Sequence, residues 1–216
     1  MAAVPDSVLT WDWPHRLWHW LFAASICVSL YTGLDGDVDV MDLHIASGVT
    51  VIGLLLFRFG WALWGGRYVR VGAYRTSALA IRRQFQRRAA GATAHSAAGA
   101  AMALMMFVAV LVQAGSGLFA SDDITTDGPY THLLSSAGVD LATAIHTRAC
   151  WLVLGLASVH VIAIAWYALR RDPIALSMWT GRTATTLPEF ADHQWIRALL
   201  TALAAGGVVW LGAHWS

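Results

Sequence analysis

The sequence predicts an all-α integral membrane protein: a four-helix bundle followed by a fifth, C-terminal transmembrane helix. Three observations carry that prediction. Of the 216 residues 57% are hydrophobic and only 12% charged, about half the charged share of a soluble domain, which is roughly 25%. Five apolar segments stand out, at about residues 17–34, 43–64, 96–120, 141–169 and 195–215. The charges between them are sorted by sign. This composition excludes a disordered chain, a nucleic-acid-binding protein and a secreted disulfide scaffold.

Each segment approaches the ~20 apolar residues that a bilayer crossing needs, and lipid leaves a spanning backbone no choice but to bond to itself. The first segment is preceded by Asp6 and Asp12 rather than by a basic region, so no cleavable signal peptide is expected. Residues 65–94 are amphipathic and arginine-rich, and are expected along the membrane surface. The fifth segment is shortened by Arg197 and either spans the membrane or lies on its surface. A first domain of residues 1–182 and a tail of 183–216 with the fifth helix follow.

All 14 basic residues are arginine, and 13 of them lie near the N-terminus, at 58–88 or at 170–197. The loops at about 35–42 and 122–140 hold eight of the 13 acidic residues and no arginine. The positive-inside rule then puts the N-terminus in the cytoplasm and both acidic loops outside a bacterial inner membrane. Trp11, Trp13, Trp18, Trp20, Trp61, Trp64 and Trp179 mark inner boundaries as an aromatic belt. Cys27 and Cys150 form no CxxC motif and read as small buried hydrophobes.

Ionisable residues inside spans are presumed functional. His19 lies one turn into the first helix, His44 opens the second, and His146 and His160 both belong to the fourth. The last two are 14 residues apart, a rise of ~21 Å over nearly four whole turns, so they share a face at two depths. Since the first and fourth helices run in opposite senses, His19 and His160 fall in an inner layer and His44 and His146 in an outer one. Two layers of two histidines are what two axially ligated haems require, with the porphyrins between the helices. Gly48 and Ala23 follow His44 and His19 by four residues and leave room for a flat macrocycle. Zinc is disfavoured, because pairs ~21 Å apart cannot close on one ion.

Weaker candidates surround these. Arg148, the one arginine on the outer side, pairs with a haem propionate or snorkels to headgroups. Arg58 meets an inner propionate or marks the cytoplasmic edge. His95 and His15 are candidates for propionate or quinone contacts, or are ordinary interfacial histidines. His132, His193 and His214 carry no argument.

The run Trp11-Asp12-Trp13-Pro14-His15-Arg16-Leu17-Trp18-His19-Trp20 resembles the WDxPxRxFHW opening of the bacterial di-haem cytochrome b family. That family includes the cytochrome b subunit of nickel–iron hydrogenases and superoxide:ubiquinone oxidoreductase. Leu43-His44 with Gly48, Phe57-Arg58 and Trp61 is similar to its second helix, and Ala94-His95 with Gly99 to the entry of its third. Met178-Trp179-Thr180-Gly181-Arg182 resembles its closing MxTGR. Trp18 replaces a phenylalanine, Ser96-Ala97 replaces Asn-Pro, and the fifth segment lies beyond the family core. The resemblance implies two b-type haems on His19, His44, His146 and His160. It also implies electron transfer between the quinone pool (ubiquinone or menaquinone) and a periplasmic redox protein or hydrogenase-like subunit. The alternative readings are a stand-alone superoxide:quinone oxidoreductase, which the acidic outer loops disfavour, and a membrane anchor and electron-transfer subunit of a nickel–iron hydrogenase.

Overall fold

A computed structural model describes residues 7–74, 97–184 and 194–214. Helix α1 spans Trp13–Asp35, α2 Val38–Trp64, α3 Ala97–Gly117 and α4 Ser136–Leu169; a single turn, α5, covers Ser177–Thr180, and α6 runs over Trp195–His214. All except α5 are long and apolar enough to cross a membrane. Most of residues 65–94, the expected surface segment, lies outside the described residues; its described end contains a 3-10 turn at Val71–Tyr74.

Helix ends follow local chemistry. Asp12 caps α1 by accepting the His15 N–H at 2.8 Å, and Pro14 sits in the first turn, where its missing N–H costs nothing. Gly36, at φ +70°, ends α1 in a left-handed cap with its N–H on the Thr32 carbonyl at 3.2 Å. Asp37 opens α2 at once, its side chain accepting from the Asp39 N–H at 3.1 Å. The second helix therefore begins at Val38 rather than near residue 43, and His44 lies two turns inside it instead of opening it. Asp39 and Asp42 are helical, with Asp39 in the first turn, where an acid favours the helix dipole.

Two compact units emerge. The first comprises Met1–His19, Arg58–Met105 and Ser158–Thr201. In it, the expected all-α picture gains a short antiparallel strand pair, β1 (Ser7–Leu9) on β2 (Arg182–Ala184). The strands bring the opening and closing sequence motifs together. Gly181, at φ +77°, accepts the N–H groups of Thr10 and Trp11 at 2.9 and 3.0 Å. Arg16 donates to the Met178 carbonyl at 3.2 Å and to the Trp179 carbonyl. A Cβ on Gly181 would meet Arg16 Nη1 and the Trp11 carbonyl, each at 2.9 Å, so only glycine fits this clamp.

Two tryptophans of the expected aromatic belt belong to this core instead. Trp11 is 3% exposed and Trp61 0%. The Trp61 indole N–H finds the buried carboxylate of Asp12 at 3.3 Å, which is the partner a buried indole needs. Trp13, Trp20, Trp64 and Trp179 are exposed. Helix α6 meets α2 here through Gly60, where an added Cβ would lie 2.7 Å from Thr201. The Trp64 indole donates to the Thr201 hydroxyl at 2.8 Å.

The second unit comprises Trp20–Phe57, Met106–Ala157 and Ala202–Ser216. Its core includes Thr32, Val51, Leu55, Val110 and Val153, while aliphatics on the helix exteriors, such as Val108, Leu152 and Val208, are exposed, as lipid-facing surfaces are. Cys27 is exposed and Cys150 half-buried, so burial does not hold for Cys27. The loop after α3 is folded rather than slack. Ser121 exchanges two hydrogen bonds with the Thr143 hydroxyl, and the Asp122 carboxylate accepts the N–H groups of Ile124, Thr125 and Thr126 at 2.8–2.9 Å.

Candidate cofactor site

The second unit holds the most developed site. His44 on α2 and His146 on α4 face each other with ring centres 6.0 Å apart and planes at 82°. Both imidazoles are anchored in the same way. His44 donates from Nδ1 to the Ser29 carbonyl at 3.0 Å, and His146 donates from Nδ1 to the Gln113 carbonyl at 2.8 Å. A carbonyl oxygen only accepts, so the ring hydrogen is on Nδ1 and the lone pair on Nε2, which is the state of a metal-ligating imidazole. Thr32, whose hydroxyl is donated to the Val28 carbonyl at 2.8 Å, adds a second acceptor 3.2 Å from His44 Nδ1.

Each anchoring carbonyl is followed four residues later by a glycine that lies against the same ring. A Cβ on Gly33 would sit 2.6 Å from Cε1 of His44, and one on Gly117 2.6 Å from Cε1 of His146. Only at a residue without a side chain can the ring approach the neighbouring helix so closely. Ser29 with Gly33 on α1, and Gln113 with Gly117 on α3, thus form matching seats for the two histidines. The Ser29 and Ser47 hydroxyls, 2.7 Å apart, tie α1 to α2 beside the first seat.

A cavity of about 470 Å³ opens between these seats, lined among others by Gly33, Gly48, Gln113, Gly117 and Cys150. That volume falls within the range of roughly 300–1,000 Å³ typical of ligand and cofactor sites. Nothing lies within 4 Å of where a Gly48 side chain would start. A haem fits this donor set. Two imidazoles with Nε2 lone pairs and ring centres 6.0 Å apart would hold a haem iron between them. Among the described residues no group of three or more His, Cys, Asp or Glu could hold a bare ion.

In the first unit, His19 and His160 are both half-buried. Arg58, 7% exposed, donates to the Val69 carbonyl at 3.1 Å and lies 5.6 Å from the Trp18 ring centre. His15 is 3% exposed, its ring 5.5 Å from both Trp11 and Trp18. Its side chain is buried because the strand pair and the closing motif cover the start of α1. Arg148 is exposed and donates to the Ala144 carbonyl one turn back at 3.0 Å; it is not among the residues around the cavity. His95 lies outside the described residues.

Ser29, Thr32, Gly33 and Gln113 were not singled out by sequence reasoning. The signal they leave is a polar residue four positions before a glycine, repeated on the helix preceding each histidine helix.

The model of the prokaryotic cytochrome b561 family matches residues 10–181. No curated protein and no solved structure matches the chain.

Proposed function

We propose that this chain, which belongs to the prokaryotic cytochrome b561 family and is a membrane b-type cytochrome of electron transfer, carries two haems. In this reading His19 and His160 hold one and His44 and His146 the other. The protein passes electrons between the quinone pool and a periplasmic redox partner. The observation that carries the reading is the paired seating of His44 and His146, each with Nδ1 on a backbone carbonyl and its ring against a glycine.

Held by two histidines, a haem would supply one-electron exchange when bound. The chain does the rest. Ser29 and Gln113 fix the tautomer and direction of the rings; Gly33, Gly48 and Gly117 make room for rings and macrocycle; the apolar helices exclude water. Quinone, ubiquinone or menaquinone, exchanges at one rim. The positive-inside rule places the N-terminus in the cytoplasm and the acidic loops outside. Asp35, Asp37, Asp39, Asp42, Asp122, Asp123 and Asp127 then favour a basic protein partner, a carrier or a hydrogenase-like subunit, over an anion such as superoxide.

Substitution of single histidines with pyridine-haemochrome quantification tests the pairing. His160→Ala and His146→Ala should each bind half the haem of the parent chain, and the double variant none. Full haem content in either single variant contradicts the pairing.

A further inference from the structure

The two histidine seats of the second unit share one sequence pattern. On α1 the anchoring carbonyl of Ser29 is followed by Thr32 and Gly33, and on α3 that of Gln113 by Ser116 and Gly117. Both hydroxyls bond back into their own helix. Thr32 donates to the Val28 carbonyl at 2.8 Å and Ser116 to the Val112 carbonyl at 2.7 Å, the usual outlet for a hydroxyl inside a helix. Each also lies near its anchoring carbonyl, at 3.3 and 3.0 Å. A hydroxyl has one hydrogen and two lone pairs, so each oxygen can still accept. Of the two, Thr32 alone uses this capacity on a ring. Its Oγ1 lies 3.2 Å from His44 Nδ1, whose hydrogen is directed to the Ser29 carbonyl at 3.0 Å. The Nδ1–H of His44 is thus shared between two oxygens, whereas among the described residues that of His146 meets the Gln113 carbonyl alone. Thr32 is 1% exposed, so its hydroxyl faces protein rather than solvent. These contacts are all made at Nδ1 and leave the Nε2 lone pair of His44 to a metal.

We propose that Thr32 is a positioning residue that acts through His44 to lower the reduction potential of the centre this histidine holds. The proposal rests on His44 being an axial ligand, as read above. An acceptor on the far nitrogen of a ligating imidazole raises the basicity of the ring toward the metal. Two oxygens turn the negative ends of their dipoles toward one N–H. A more basic ligand favours the oxidised centre, with its additional positive charge, over the reduced one; hydrogen bonding around the ligands is a lever by which a protein tunes a haem. Burial strengthens the effect, because the local dielectric is low. The bond to the Val28 carbonyl holds the oxygen beside the ring.

The test is a spectroelectrochemical titration of the purified, haem-loaded full chain and its variants. Thr32→Val keeps the shape of the side chain and removes the oxygen. The midpoint of one centre should rise, with the second centre and the haem content unchanged. Thr32→Ser restores a hydroxyl and should return the midpoint toward the parent value. Ser116→Ala deletes a hydroxyl that has the same back-bond and no bond to a ring, and should produce no rise. Thr32→Ala, with the same rise expected, serves where the valine variant loads poorly. A midpoint that stays or falls when the hydroxyl is removed, that rises equally at both centres, or that rises as much in Ser116→Ala overturns the proposal. His44→Ala separates the two layers of argument. Retention of both haems in that variant overturns the ligand assignment itself, whereas loss of one haem together with an inert Thr32→Val overturns the role of Thr32 alone.

Discussion

Gly117 and His146 touch across two helices so closely that a single added methyl group would lie 2.6 Å from the imidazole Cε1. Gly33 stands in the same relation to His44. Gly117→Ala should therefore push the ring off its carbonyl, at a cost typical of overpacking, about 1–3 kcal/mol, and reduce haem occupancy at that centre. Gly155→Ala is the control, since nothing lies within 4 Å of the new carbon and the residue does not line the cavity. Haem content and thermal unfolding in detergent check the pair; equal behaviour of the two variants counts against the seat.

Asp12 joins the start of α1 to α2. It is 1% exposed, and its Oδ1 accepts both the His15 N–H at 2.8 Å and the Trp61 indole at 3.3 Å. Asp12→Ala removes a helix cap and leaves a buried indole donor short of an acceptor, which together should cost on the order of 1–3 kcal/mol. Asp12→Asn keeps an acceptor oxygen and should lose less. Melting temperatures of the two variants in one detergent decide the matter, and an alanine variant as stable as the parent would contradict the contact's role.

Asp122 holds the loop after α3 by accepting three backbone N–H groups and the Thr125 hydroxyl. These bonds hold its carboxyl far below the usual carboxylate range, the Thr126 N–H contributing most. A depressed folded-state pKa means stability that is complete above the ordinary value of ~4 and lost as pH falls through the depressed one. Amide protection at residues 124–126 should thus stay constant between about pH 5 and 8 and collapse only in strong acid. In Asp122→Ala the protection should be missing at every pH. Protection that changes near neutrality would contradict this assignment.

Much of the architecture is legible in the residues. Uninterrupted apolar runs announce the spans, and the sorting of arginine from aspartate marks their ends. Matched depths bring His44 and His146 to the same place because helical rise is regular. What stays hidden has identifiable causes. Any residue's carbonyl can accept from an imidazole, so nothing in Ser29 or Gln113 as letters says that their main-chain oxygens seat the histidines. The pairing of Ser7–Leu9 with Arg182–Ala184 joins distant stretches without a periodic signal. With that pairing goes the burial of His15 and Trp11, which look like boundary residues until the closing motif folds over them. The start of α2 is misjudged because Asp37 and Asp39 read as loop, whereas acids at a helix N-terminus stabilise it.

The most direct measurement is the reduced-minus-oxidised absorption spectrum of the purified chain, expressed with ample haem, combined with quantification of haem per polypeptide. Two b-type haems for each chain, both low-spin as paired imidazoles require, are predicted. A colourless protein, or one haem per chain in a fully loaded preparation, would contradict the account.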